Sequence, residues 1–210
     1  MKNLLTINIL FFFMLLCSAP DVLAQRAEVN ARVKKYLDEH KGSWRDLNVP
    51  HEDGQILHDI IVNNKYQSAL EIGTSTGHST IWIAWALSKT GGKLITIEMD
   101  ENRQREAKKH LDAVGLSDYV DFRLGNAHDI VRELDVHLDF VFSDADKDWY
   151  VQYFKDIHPN LKRGGTFAAH NVLQNIRGIS EYMNYVNQHP DYHTTIDKTS
   201  SSGIAISVKK

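Results

Sequence analysis

The spacing of apolar positions changes period repeatedly along the chain, and the changes mark out its elements. Val29, Val33 and Leu37 recur every four residues within a charged stretch, which predicts an amphipathic helix from Arg26 to His40. Ile56, Leu57, Ile60 and Ile61 predict a second helix over Gln55–Val62. From Ser68 onward, short apolar runs alternate with helical patterns. Strands are expected at Ser68–Ile72, Lys93–Ile97, Val120–Leu124, Leu138–Phe142 and Thr166–Ala169, the last entered through a Gly164-Gly165 turn. Helices are expected at His78–Leu87, Asn102–Val114, Asp129–Leu134, Tyr150–Leu161 and Arg177–Asn187, with Gly115 as a C-terminal cap. Tyr192–Ile196 and Ile204–Val208 read as two closing strands. Ile81, Trp82, Ile83 and Trp85 leave their helix apolar all round, so it belongs to the core. Trp44 and Trp149 are expected to flank the mouth of a site.

Strands that alternate with helices imply βαβ units and a mostly parallel sheet covered on both faces. Ligands on such sheets bind beyond the carboxyl ends of the strands, where strand order reverses. Gly73, Glu98, Gly125, Asp144 and His170 each follow a predicted strand.

The N-terminus follows a different pattern. Lys2 precedes a mostly apolar run from Leu4 to Cys17, Pro20 breaks it, and Val22-Leu23-Ala24 offers small residues before Gln25. This is the layout of a secretory signal, so residues 1–24 are expected to be removed and 25–210 to form one domain exported to the periplasm or medium. The alternative is an uncleaved N-terminal anchor, which would be the chain's only tie to a membrane. Cys17, the single cysteine, lies inside that segment. The mature chain would then hold neither disulfides nor a thiolate nucleophile nor cysteine-bound zinc. A net charge of -3 with interspersed signs gives no basic stripe, and no nucleic acid partner is expected.

Glu71-Ile72-Gly73-Thr74-Ser75-Thr76-Gly77-His78-Ser79 is a glycine-rich turn between strand and helix, where backbone N–H groups can face a ligand. The next strand ends in Glu98, placed to accept the hydroxyl hydrogens of a ribose. Gly73-Thr74-Ser75-Thr76-Gly77 also satisfies the nucleophile-elbow pattern of a serine hydrolase, although little sheet precedes it. A nicotinamide dehydrogenase is disfavoured, because the full G-x-G-x-x-G is absent and no tyrosine stands four residues before a lysine. Asp144, Asp146 and Lys147 form a dense polar cluster after a buried strand, and a lysine there acts as a base only if its proton can be removed.

Leu70-Glu71-Ile72-Gly73, Gly77-His78-Ser79, Ile97-Glu98-Met99, Gly125-Asn126-Ala127, Asp144-Ala145-Asp146-Lys147 with Tyr150, Gly164-Gly165 and His170-Asn171 stand in a telling order. From about Asn48 to the C-terminus the sequence resembles the cation-dependent small-molecule O-methyltransferases, which include the catechol and caffeoyl-CoA enzymes. The resemblance implies a Rossmann-like seven-stranded sheet with an antiparallel last strand. It implies methyl transfer from S-adenosylmethionine to an oxygen of a small, phenolic acceptor. A catalytically weak S-adenosylmethionine-binding protein is the runner-up. Val49, Glu71, Gly73, Thr74 and Ser79 would hold the methionine part, Glu98 the ribose, and Asn126 and Ala127 would lie near the adenine. Asp144 would touch cofactor and metal, and Lys147 would be the base.

The family carries an aspartate where this chain has His170. That leaves three readings: His170 ligates a softer divalent ion with Asp144 and Asn171, serves as a metal-free general base, or marks a decayed site. The stretch Asp197-Lys198-Thr199-Ser200 lacks the acid that animal members place against a second catechol hydroxyl, which argues against catechol as acceptor. A homodimer is compatible with the resemblance.

Overall fold

The computed structural model describes residues 19–44 and 46–210. The apolar run Leu4–Cys17 of the expected signal lies outside the described residues. Helix α1 spans Ala19–Glu39 and runs without a break across the expected Ala24–Gln25 cleavage point. Among the described residues no helix is long and apolar enough to cross a membrane.

Helix α2 (His51–Asn64) leads into strand β1 (Ser68–Ile72), helix α3 (His78–Thr90), β2 (Lys93–Glu98) and α4 (Glu101–Val114). Then follow β3 (Val120–Leu124), α5 (Ala127–Glu133), β4 (Leu138–Ser143), α6 (Tyr150–Ile157), β5 (Leu161–His170), α7 (Arg177–Asn187), β6 (Tyr192–Asp197) and β7 (Ile204–Lys209). The seven strands form one sheet in the order β3-β2-β1-β4-β5-β7-β6. Strands β1 to β5 pair in parallel, and β7 runs antiparallel to both neighbours. The order reverses between β1 and β4, so the parallel crossovers leave a crevice at the carboxyl ends of those two strands.

Helices α5 to α7 cover one face. Tyr150, Tyr153, Phe154 and Ile157 of α6 and Ile179, Tyr182 and Val186 of α7 pack on Leu70, Val141 and Phe167 of the sheet. On the other face Leu57 and Ile61 of α2 and Ile83, Ala86 and Leu87 of α3 meet Phe140, Phe142 and Ala168. Helix α1 lies outside this layer, with Val33 and Leu37 against Ile81 and Trp82 of α3 and Leu111 of α4. Helix α3 is therefore buried all round, as its composition requires.

Two expectations are corrected. Leu161 is not the end of α6 but the start of β5, pairing with Leu138 before a register shift lets Thr166 pair with Phe140. Gly164-Gly165 thus sits in an irregularity inside the strand rather than in a turn before it, and the bulge hides the strand's period. Trp44 does not flank the site: it stacks on His78 at 4.7 Å between ring centroids and joins the cluster around α1, α3 and α4.

Candidate functional site

A cleft of roughly 580 Å³ opens where strand order reverses. Eight of the twelve residues given site roles from sequence line it: Gly73, Glu98, Asn126, Ala127, Asp144, Lys147, His170 and Asn171. Leu47, Asn48, Met99 and Arg103 contribute further wall that sequence reasoning did not name as site. Gly73 has φ +101°, and a Cβ there would stand 2.8 Å from the Asp144 carbonyl oxygen. Only glycine lets the ends of β1 and β4 approach this closely.

Val49, Glu71, Thr74 and Ser79 lie behind the cleft wall rather than in it. The Val49 side chain is core, and its carbonyl accepts from His78 Nδ1 at 2.9 Å. Trp82 Nε1 donates to the other nitrogen of His78, and burial drops that ring's pKa to about 4, so His78 is a neutral structural linker. Thr74 and Thr96 share a hydroxyl hydrogen bond of 2.6 Å. Glu71 is fully buried. Its Oε2 accepts from the hydroxyls of Thr80 and Thr96 at 2.6 Å each, while Oε1 has no partner. Burial lifts the carboxyl to about 7, even though the hydroxyls of Ser79, Thr80 and Thr96 pull it down. Ser75 has φ +49°, but its hydroxyl donates to the Asp46 carbonyl at 2.6 Å. No nucleophile–base pair is built there, which disposes of the hydrolase reading.

Glu98 closes β2 with its carboxylate gathered by backbone. Oε2 accepts from Ser75 N at 2.8 Å, and Oε1 accepts from Met99 N and Asp100 N at 2.9 Å each. Asn126 caps α5 by accepting from His128 N at 3.0 Å, which presents the start of that helix to the cleft. His128 also lines the cleft, and its ring stacks on Trp149 at 3.6 Å.

The far end of the cleft holds a chain of four charged side chains. Lys147 Nζ donates to Asp144 Oδ1 at 2.5 Å. His170 Nδ1 lies 3.0 Å from Asp144 Oδ2, and its Nε2 lies 2.8 Å from Asp53 Oδ2. Ser200 Oγ donates to the same Asp53 oxygen at 2.8 Å. His170 and Asp53 are buried, and only Oδ1 of Asp53 is left without a partner. Burial alone would lower the His170 pKa, but the hydrogen bonds and charges of Asp144 and Asp53 outweigh it and raise the ring to about 9. Burial would likewise raise the Asp144 carboxyl, yet His170 and Lys147 hold it below its ordinary value. Tyr150 Oη donates between the Ser143 and His170 carbonyls, stitching together the ends of β4 and β5.

This arrangement bears on two sequence expectations for His170. Ionised carboxylates only accept hydrogen bonds, so carboxylates on both ring nitrogens require both to carry hydrogen. Such a ring has no lone pair for a metal and no capacity as a base. The expected set Asp144, His170 and Asn171 therefore does not fit a divalent cation. Asn171 lines the cleft in a left-handed backbone conformation with φ +60°. Asp53 and Ser200 were missed from sequence. The one available signal was that Asp53 falls in the four-residue series with Leu57 and Ile61, on the buried stripe of α2.

The chain is 34% identical over 139 residues to a catechol O-methyltransferase of Niastella koreensis, covering 64% of this chain and 62% of that protein. It is 28% identical over 183 residues to a caffeoyl-CoA O-methyltransferase of Eucalyptus gunnii, covering 83% and 70%. Among solved structures it superimposes on the O-methyltransferase from Bacillus cereus in complex with SAH with a TM-score of 0.72 at 25% identity, covering 88% of this chain and 91% of the other. The sequence profile of the O-methyltransferase family matches residues 23–189. With the switch-point cleft and its strand-end acids in place, the chain belongs to the O-methyltransferase family.

Proposed function

We propose that this chain transfers the methyl group of S-adenosylmethionine to the oxygen of a small acceptor of phenol-like acidity. One observation carries the reading: Glu98 at the end of β2 and the Lys147–Asp144 pair after β4 open onto the same cleft. The bound sulfonium supplies an electrophilic methyl and leaves as a neutral thioether. Glu98 receives the ribose, and Asn126 and Ala127 border the adenine. Glu71 lies behind this wall, where its buried carboxyl gathers the Thr80 and Thr96 hydroxyls. Val49, Thr74 and Ser79 support this wall from behind.

Lys147 is the base. The proton that Nζ shares with Asp144 first leaves to water; the neutral amine then takes the acceptor's proton as the oxygen–methyl bond forms and the sulfur–methyl bond breaks, and that proton leaves to water in turn. A phenolic hydroxyl gives up its proton to an amine readily, whereas an aliphatic alcohol holds its proton far more tightly. Asp144 positions the amine. No step runs through a metal, because the donors around His170 do not fit one.

The test is release of S-adenosylhomocysteine from a panel of phenolic acceptors, with Lys147→Met beside the wild type. Loss of a general base should lower kcat by about 10²–10⁴-fold and leave S-adenosylhomocysteine affinity unchanged. Unchanged turnover in Lys147→Met would remove the lysine from the chemistry. Tight binding by the wild type with no turnover on any acceptor would leave a binding protein in place of an enzyme.

In the same proposal, the N-terminal segment is an export signal cleaved before Gln25. Ala24 to Glu28 are exposed on α1, so cleavage there would leave the buried contacts of Val33 and Leu37 intact.

A further inference from the structure

We propose that the His170 side chain takes the position and the charge of a divalent cation in this site, so that the chain works without a metal. The inference rests on the methyl-transfer reading but is tested apart from it. A buried carboxylate and a largely buried one this close need a cation between them, because an uncompensated buried charge is strongly destabilising. Here the cation is covalently part of the chain. Asp53 arrives from α2 and Asp144 from the end of β4, and they meet on opposite nitrogens of one ring. With the ring between them, their oxygens cannot converge on a common point. Among the described residues, the group of metal-competent atoms that does converge is His158, His189 and Asp191, none of which lines the cleft.

The charges close without an ion. Asp53 and Asp144 contribute two negative charges, and His170 and Lys147 contribute two positive ones. Replacing the imidazolium with a carboxylate removes one positive charge and adds one negative. The cluster then stands at −2 with three hard oxygen donors, which is the deficit and the chemistry that magnesium or manganese satisfies. His170 also orients Asp144, which in turn holds Lys147, so it acts as a positioning residue and not as a base.

The experiment uses the full-length protein, stripped of metal, with Mn²⁺ as the probe. Mn²⁺ binding is read by electron paramagnetic resonance, and the ring of His170 by nitrogen NMR. The wild type should show no stoichiometric Mn²⁺ binding, both ring nitrogens protonated at neutral pH, and turnover unchanged by chelator. His170→Asp should gain Mn²⁺ binding that Asp144→Asn in the same chain removes. One Mn²⁺ per wild-type chain, lost in Asp144→Asn, would overturn the proposal. So would a fall of more than about tenfold in turnover on chelation that added metal reverses. Should His170→Asp fail to fold, the wild-type Mn²⁺ and NMR readings still decide. A failure of the methyl-transfer reading shows separately, as absent S-adenosylhomocysteine binding or release.

Discussion

Changing Glu98 to glutamine is expected to weaken nucleoside binding by an amount that follows from its hydrogen bonds. A carboxylate offers about four lone-pair positions. The backbone N–H groups of Ser75, Met99 and Asp100 fill three, two of them on Oε1. One position on Oε2 remains for a sugar hydroxyl, so one charged hydrogen bond is at stake rather than two. Bonds to charged groups contribute about 1.5–3 kcal/mol, which corresponds to roughly 10- to 150-fold in affinity. Glu98→Gln keeps the shape and one acceptor oxygen but loses the charge and turns the other oxygen into a donor. Titration calorimetry with S-adenosylhomocysteine should show the loss, with a melting curve to confirm that the turn at Ser75 still folds. Glu101→Gln removes the same charge from the exposed first turn of α4 and should leave the affinity unchanged. If Glu98→Gln binds within about twofold of the wild type, the sugar does not meet this carboxylate and the placement of the nucleoside is wrong.

Glu71 gives a pH dependence with a defined sign. Its pKa rises from 4.5 to about 7 on folding, so the protonated form stabilises the apo protein below 4.5, and that contribution is lost as pH rises through about 7. The melting temperature of the apo protein, compared with Glu71→Gln, should therefore fall as pH rises from about 4.5 through about 7. A wild-type melting temperature that tracks Glu71→Gln across that window would show that burial does not raise this carboxyl. The export reading is checked by mass spectrometry of the protein secreted from its native host: Gln25 should be the first residue, and an intact Met1 would point to an anchor.

Most of the sheet could be read from sequence because each parallel strand is a short apolar run set against a helical period. The pattern failed where local geometry departs from it. The Lys162–Gly165 irregularity disguised the first half of β5, and the polar run His51–Gly54 hid the opening turn of α2. The cleft was legible for a topological reason: residues that follow parallel strands converge at the switch point, so Gly73, Glu98, Asp144 and His170 could be named without knowing their contacts. What sequence withheld was the partner on the second nitrogen of His170. The sequence allows both base and metal ligand as readings, and the Asp53 contact, from 117 residues away in the chain, favours neither.

That separation has a bearing on how the protein is made. The helix bearing Asp53 leaves the ribosome well before the strand bearing His170, and Ser200 follows 147 residues after Asp53. Until both arrive, the carboxylate lacks the partners that offset its burial, and water is its alternative. Completion of the polar chain is thus one of the closing events of folding, and a nascent or clipped chain short of its last hairpin carries the strands of a transferase without the finished pocket.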